Sequence, residues 1–249
     1  MRVCEHYESI MLLLFRIDTC VCTLLLVWGM NMPKTSVLGN CFMCGETAAK
    51  IAMKNHLIKA HDNGAEPCRL ILAEGAYIKN YWLLFSIAID TPMATVDKFL
   101  RQIWCECCGH LSQFDRNQST KIAMLAPKQK ISYEYDMGSM TEIVLTVLDE
   151  LSRPPQKEKI CLLARNMPHV EACNTCGAPA TFINAWDDAF ACAACAQNAE
   201  DADAMLPFVN SPRTGVCGYE GTLDRWAFDP HKPFPQIPPA LKKRSKDGE

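Results

Sequence analysis

Phe99-Leu-Arg-Gln-Ile-Trp-Cys-Glu-Cys-Cys-Gly-His-Leu-Ser-Gln-Phe114 is the stretch whose reading decides the fold. With Val96 added, Phe99, Leu100, Ile103 and Trp104 fall at i, i+3, i+4, i+7 and i+8, one apolar stripe of a helix. Gly109 is expected to stop that helix, as glycine often does at a C-terminal cap, and Leu111, Gln113 and Phe114 read as the start of a strand. A helix that runs directly into a strand is enough to seed a core.

Short apolar runs lie on both sides of it. Arg69-Leu-Ile-Leu-Ala73 and Tyr81-Trp-Leu-Leu-Phe-Ser-Ile-Ala-Ile89, bounded by Gly75 and Pro92, are rich in branched and aromatic residues and read as strands. Ile131-Ser-Tyr-Glu-Tyr-Asp136 alternates, and Thr141-Glu-Ile-Val-Leu-Thr-Val-Leu-Asp149 is nearly continuous, so a hairpin is expected around Gly138. Lys159-Ile-Cys-Leu-Leu-Ala164 adds one more strand. Strands, one main helix and hairpins together predict an α+β domain over residues 67–166 with a mixed or antiparallel sheet.

Fifteen cysteines in 249 residues are the outlying feature of the composition. Most fall in Cys-x-x-Cys pairs with histidines at ligand spacing, which points to zinc in a reducing, cytoplasmic setting rather than to a disulfide framework. Cys41-x2-Cys44-x11-His56-x4-His61 has the spacing of a zinc finger made from a knuckle and one helix, placed over residues 32–66. The helix would run from about Thr47 to Ala60, and Cys68 is an alternative to His61 as fourth ligand. Cys173-x2-Cys176-x15-Cys192-x2-Cys195 matches a four-cysteine zinc ribbon over residues 167–200, in a hairpin expected to bury Phe182 and Trp186. Two zinc ions follow, with Cys41, Cys44, His56, His61, Cys173, Cys176, Cys192 and Cys195 as ligands.

The remaining segments carry less chemistry. Residues 10–30 are strongly apolar, but Arg16 and Asp18 interrupt them, and a charge at the centre of a spanning helix costs about 2.5–3.5 kcal/mol on insertion scales. Residues 1–31 are therefore taken as a mis-called or non-core extension, and membrane association is not expected unless residues 10–30 are genuine. Residues 201–228 form an irregular, ordered closing segment rich in proline and glycine, and residues 229–249 a disordered, Pro-rich basic tail. A net charge of −3 argues against a dedicated nucleic-acid or membrane-surface binder.

Several of these motifs occur together, and in this order, in a known family. Phe99-Leu-Arg-Gln-Ile-Trp, Cys107-Cys-Gly-His-Leu-Ser-Gln-Phe114, Tyr133-Glu-Tyr-Asp-Met-Gly-Ser139 and Leu162-Leu-Ala-Arg-Asn166 are four of them. The Cys173–Cys195 ribbon and Asn210-Ser-Pro-Arg-Thr-Gly-Val-Cys-Gly-Tyr219 complete the set. Over residues 40–221 the chain resembles the zinc-bearing branch of an uncharacterised prokaryotic family named after the third open reading frame of the hairy-root Ri plasmid. The resemblance implies an α+β fold and no established activity. Cys105 stands where that family usually carries a bulky aliphatic residue, which suits core packing better than a ligand role.

Cys105, Cys107, Cys108 and His110 raise the question of a third metal site or a nucleophile. A helix C-terminus carries partial negative charge that raises a thiol pKa, and free cysteine is a common buried small hydrophobe. Core packing is the expectation for them. His169-Val-Glu171 is a His-x-Glu, but it lies too close to Cys173 for a deaminase, and no phosphate loop, His-Glu-x-x-His or Gly-x-Ser-x-Gly occurs. The function expected is a zinc-stabilised interaction module without a small-molecule cofactor. Its partner is a protein, or nucleic acid held weakly and non-specifically through Lys34, Lys50, Lys54 and Lys59. The alternative is an enzyme of unknown reaction with a site around Cys107–His110, Asp136 and Arg213–Tyr219.

Overall fold

The computed structural model describes residues 37–154, 156–221, 226–236 and 241. The proposed extension 1–31, Lys34 and most of the basic end of the tail lie outside the described residues. Among the described residues no helix is long and apolar enough to cross a membrane.

An eight-stranded sheet carries the fold, with strand order β2-β1-β8-β4-β3-β7-β6-β5. The strands are β1 (Leu38–Cys41), β2 (Thr47–Ala49), β3 (Glu66–Gly75), β4 (Trp82–Ala88), β5 (Ser112–Phe114), β6 (Lys130–Tyr135), β7 (Thr141–Arg153) and β8 (Ile160–Asn166). Every neighbouring pair in it is antiparallel. The hairpin expected at Gly138 joins β6 to β7, with Tyr135 opposite Thr141. A smaller three-stranded sheet, β10-β9-β11, holds β9 (Phe182–Asn184), β10 (Phe190–Ala191) and β11 (Met205–Pro207).

At its centre the large sheet is buried on both faces, and the alternation of β4 shows how. Leu83, Phe85 and Ile87 face one core, whereas Trp82 and Leu84 face the other. Side chains of a strand point alternately to its two faces, so a strand covered on both sides reads as a continuous apolar run. Helix α2 (Met93–Leu100) covers the first face together with a π-helical turn, Arg101–Cys105. Val96, Phe99, Leu100, Ile103 and Trp104 are all buried there, as the stripe predicts. Helix α1 (Lys50–His61) covers the second face with Met53 and Leu57.

Three expectations need correction. Gly109 does not cap the organising helix, because the chain widens into the π turn, where Glu106 N–H reaches back to Arg101 C=O at 2.7 Å. The wider turn buries three consecutive residues, Ile103, Trp104 and Cys105. The finger is not a separate module either. Its first strand pairs with β8, placing Asn40 opposite Arg165, and its helix roofs the second core. Part of the expected disordered tail packs back on the body. Gln236 N–H donates to Phe42 C=O at 2.7 Å, and Phe228 lies edge-on to Phe42 and stacked on Phe234.

Candidate metal centres

Among the described residues three clusters of side chains could each hold a metal ion: Cys41, Cys44, His56 and His61; Cys173, Cys176, Cys192 and Cys195; and Cys107, Cys108, His110 and Cys217. Within each cluster the four ligand atoms lie within 4.8 Å of one another. All described cysteines are free thiols.

The first cluster joins the end of β1 and its turn to helix α1. Gly45 N–H donates to Cys41 C=O, tightening the knuckle that presents both sulfurs. His56 and His61 project from α1, with Nε2 of His56 3.3 Å from Cys44 Sγ and Nε2 of His61 3.5 Å from Cys41 Sγ. Burial pushes the Cys41 thiol up to about 12, so a cation is needed to hold it as thiolate. Cys68, the alternative ligand, is not among these four. It is buried on β3 and donates to Leu151 C=O at 3.2 Å.

The second cluster closes the small sheet. Cys173 and Cys176 sit on the turn before β9, and Cys192 and Cys195 lie at the start of helix α3 (Ala193–Gln197), with Cys176 and Cys192 sulfurs 3.7 Å apart. Backbone N–H groups of Cys192, Cys176 and Thr175 hold the Cys173 thiol down to about 6. Such amide donors stabilise thiolate before any ion binds. Ile183, Asn184 and Ala191 are the buried residues of this hairpin, and Phe182 is half-buried. Trp186 lies in the turn after β9 and is 76% exposed, a correction to the expected packing. The turn is held by Asn184, whose side-chain oxygen accepts the Trp186 N–H.

The third cluster draws its residues from distant segments. Cys107, Cys108 and His110 lie on the loop after the π turn, where Gly109 N–H donates to the Glu106 carboxylate at 2.8 Å. Cys217 comes from the closing segment, which docks on the open end of the π turn: Ser211 Oγ donates to Trp104 C=O and Tyr219 Oη to Ile103 C=O. Helix ends leave carbonyls without intrahelical partners, and here the closing segment fills them. Nε2 of His110 is 3.1 Å from Cys108 Sγ and 3.2 Å from Cys217 Sγ, and those two sulfurs are 3.8 Å apart.

Behind this cluster lies a buried ion pair. Arg213 is fully buried and donates to Asp136 at 2.6 Å, to Ser139 C=O and to Thr141 Oγ1, and also reaches Cys107 Sγ at 3.5 Å. The Asp136 carboxylate accepts from Gly138 and Ser139 N–H groups and faces Nδ1 of His110 at 3.5 Å. Arg213 holds the Asp136 carboxyl at about 2 despite the opposing cost of desolvation. Desolvation raises the Cys107 thiol, but the Cys108 thiol and the Arg213 guanidinium bring it below its ordinary value. The guanidinium groups of Arg213 and Arg101 both lie over the Tyr135 ring, at 4.8 and 5.1 Å from its centre.

Core packing, the expectation for the Cys105–His110 group, describes Cys105, which is fully buried, and in part Cys107, which is half-buried against the main core. Cys108 and Cys217 are exposed. Sequence spacing misses Cys217 because it stands 107 positions from His110. A shared signal was nevertheless present. Cys44, Cys108, Cys176 and Cys217 are each followed by a glycine, and Gly45, Gly109, Gly177 and Gly218 all take positive φ. Glycine populates that region without steric cost, which lets the chain turn back on the thiol.

No family model matches the chain, and no curated protein matches it. A solved structure of a protein of unknown function from Methanosarcina mazei Go1 is similar, with 13% identity over 41% of this chain and 70% of that one. Its TM-score of 0.36 is too low to carry an argument.

Proposed function

We propose that the chain is a zinc-stabilised interaction module whose partner is a protein met at the four-cysteine hairpin. In this reading Cys41, Cys44, His56 and His61 form a two-thiolate, two-imidazole zinc finger built into the sheet. Cys173, Cys176, Cys192 and Cys195 form a zinc ribbon. The observation that carries it is the match of donor sets to closed tetrahedra. With zinc–sulfur bonds of about 2.3 Å and zinc–nitrogen bonds of about 2.0 Å, the tetrahedron edges are about 3.8 Å between sulfurs and about 3.5 Å between sulfur and nitrogen. The separations of 3.7, 3.5 and 3.3 Å within these two clusters fit those edges. Four protein ligands leave no open position for substrate, the mark of a structural rather than a catalytic site. Thiolate sites of this kind favour a reducing, cytoplasmic compartment. We also propose membership of the zinc-bearing branch that the motifs resemble.

Two features favour a protein over nucleic acid. Trp186 projects from the ribbon hairpin, and exposed tryptophan is typical of protein-interface anchors. The basic face of the finger is largely spent: Lys50 pairs with Glu74 at 2.6 Å and Lys54 with Asp149 at 3.0 Å. Of the described lysines on that face Lys59 remains, for a log–log salt slope of about −1 on duplex DNA. The enzyme alternative gains from the convergence of Cys107–His110, Asp136 and Arg213, but those sulfurs and the ring nitrogen face one another as ligands rather than facing a substrate position. The test places a photo-cross-linking residue at Trp186 of the full chain in cells, with Tyr77, another exposed aromatic, as control position. One discrete protein adduct specific to position 186 is expected. Equal labelling from both positions, or tight sequence-selective DNA binding that survives high salt, would overturn the reading.

A further inference from the structure

Cys107, Cys108, His110 and Cys217 belong to neither of the spacing motifs, and we infer that they form a third zinc site, which clamps the closing segment 208–221 onto the π turn. The geometry is that of a tetrahedron. The Cys108–Cys217 separation of 3.8 Å equals a sulfur–sulfur edge of about 3.8 Å, and both sulfurs lie close to His110 Nε2. Cys107 Sγ completes the set, 3.5 Å from Cys108 Sγ. Three thiolates and one imidazole suit zinc, a borderline-soft ion without a geometric preference of its own.

The surroundings are built for such an ion. A metal-bound histidine normally turns its second nitrogen to a carboxylate or carbonyl, which fixes the ring. His110 does this, with Nε2 toward the sulfurs and Nδ1 toward Asp136. Three thiolates and a neutral imidazole around a divalent ion leave an excess negative charge. Arg213 stands against that charge, donating to Cys107 Sγ while its other hydrogen bonds hold Asp136 and the β6–β7 turn. Packing does not explain the whole arrangement, since Cys108 and Cys217 are exposed, although Cys105 is buried in the core and Cys107 leans against it. The clamp also explains the closing segment. None of residues 208–221 belongs to a strand or helix, yet Ser211, Arg213 and Tyr219 are buried. A metal bond at Cys217 supplies a tie that secondary structure does not.

The test uses the full chain loaded with cadmium-113, whose resonance moves downfield as the number of sulfur ligands rises. The three clusters have three different donor sets, so each has its own signal: four sulfurs, three sulfurs with one nitrogen, and two of each. A three-sulfur resonance is expected in the wild type. It should vanish in Cys217→Ser, persist in Cys105→Ala, and move to the four-sulfur position in His110→Cys. A wild-type spectrum without it, or one unchanged by Cys217→Ser and His110→Cys, overturns the third site. Should Cys217→Ser fail to fold, the His110→Cys shift decides alone. Absence of the other two signals with this one intact would instead sink the zinc reading of the finger and ribbon.

Discussion

Cys173, Cys176, Cys192 and Cys195 come from one hairpin and its flanking turns, whereas Cys107, Cys108 and His110 are separated from Cys217 in sequence by strands β5–β8 and the small sheet. The first cluster sits beside a small sheet whose strands are two and three residues long. The second rests on the main core, next to buried Trp104, Tyr135 and Arg213. A local cluster must do much of the folding of its own module, since so small a sheet buries little apolar surface. A long-range cluster can only fasten what the core has already placed. The Cys41–His61 cluster falls between them: its ligands are close in sequence, yet β1 and α1 are held by the large sheet.

The largest expected effect is at the local cluster. Structural zinc binding is worth about 10–16 kcal/mol in finger peptides at neutral pH, so Cys192→Ser should unfold residues 172–200 while the eight-stranded sheet stays intact. Hydrogen exchange checks this, and protection kept in β9 and β10 would mean that the small sheet stands without its ion. Next in size is Arg213→Met. Removing one partner of a buried ion pair typically costs about 3–5 kcal/mol, and Asp136 would be left uncompensated beside His110. The loss should appear in global denaturant unfolding, because the pair belongs to the main core; a change confined to the closing segment would place it outside.

The finger should respond more mildly. His61→Ala is expected to lose one zinc but leave β1 paired with β8, whereas Cys68→Ala keeps the metal and costs about 1 kcal/mol, the ordinary effect of a single substitution. Equal zinc content in both variants would dissolve the distinction between ligand and core cysteine. The smallest effect is expected at Trp186→Ala. An exposed side chain away from caps and networks usually changes stability by no more than about 0.5 kcal/mol, so thermal unfolding should be nearly unchanged even if the partner is lost.

What could be read from the sequence follows the same division between local and distant. The helical stripe from Val96 to Trp104 and the alternation of Ile131–Tyr135 are periodic signals carried by neighbouring residues, and the structure follows both. The two Cys-x2-Cys pairs of the ribbon are equally local. No spacing rule ties Cys217 to His110, 107 positions away; the sequence groups the two only in the alternative enzyme site of Cys107–His110, Asp136 and Arg213–Tyr219. The π turn is invisible to a 3.6-residue period. The apolar character of Trp186 suggests the interior, but a hairpin tip has no opposite surface to bury it. The finger motif concealed a different fact: Gly39, Asn40 and Cys41 form an inner strand of the sheet, so the motif is part of the core rather than an appendage.

Zinc per chain, measured by mass spectrometry on the full chain purified without chelator, tests the metal assignment most directly. Cys192→Ser and Cys44→Ser should each hold one ion fewer than the wild type, and the double variant two fewer. An unchanged zinc count in all three variants, or wild-type cysteines found joined as disulfides, would contradict it.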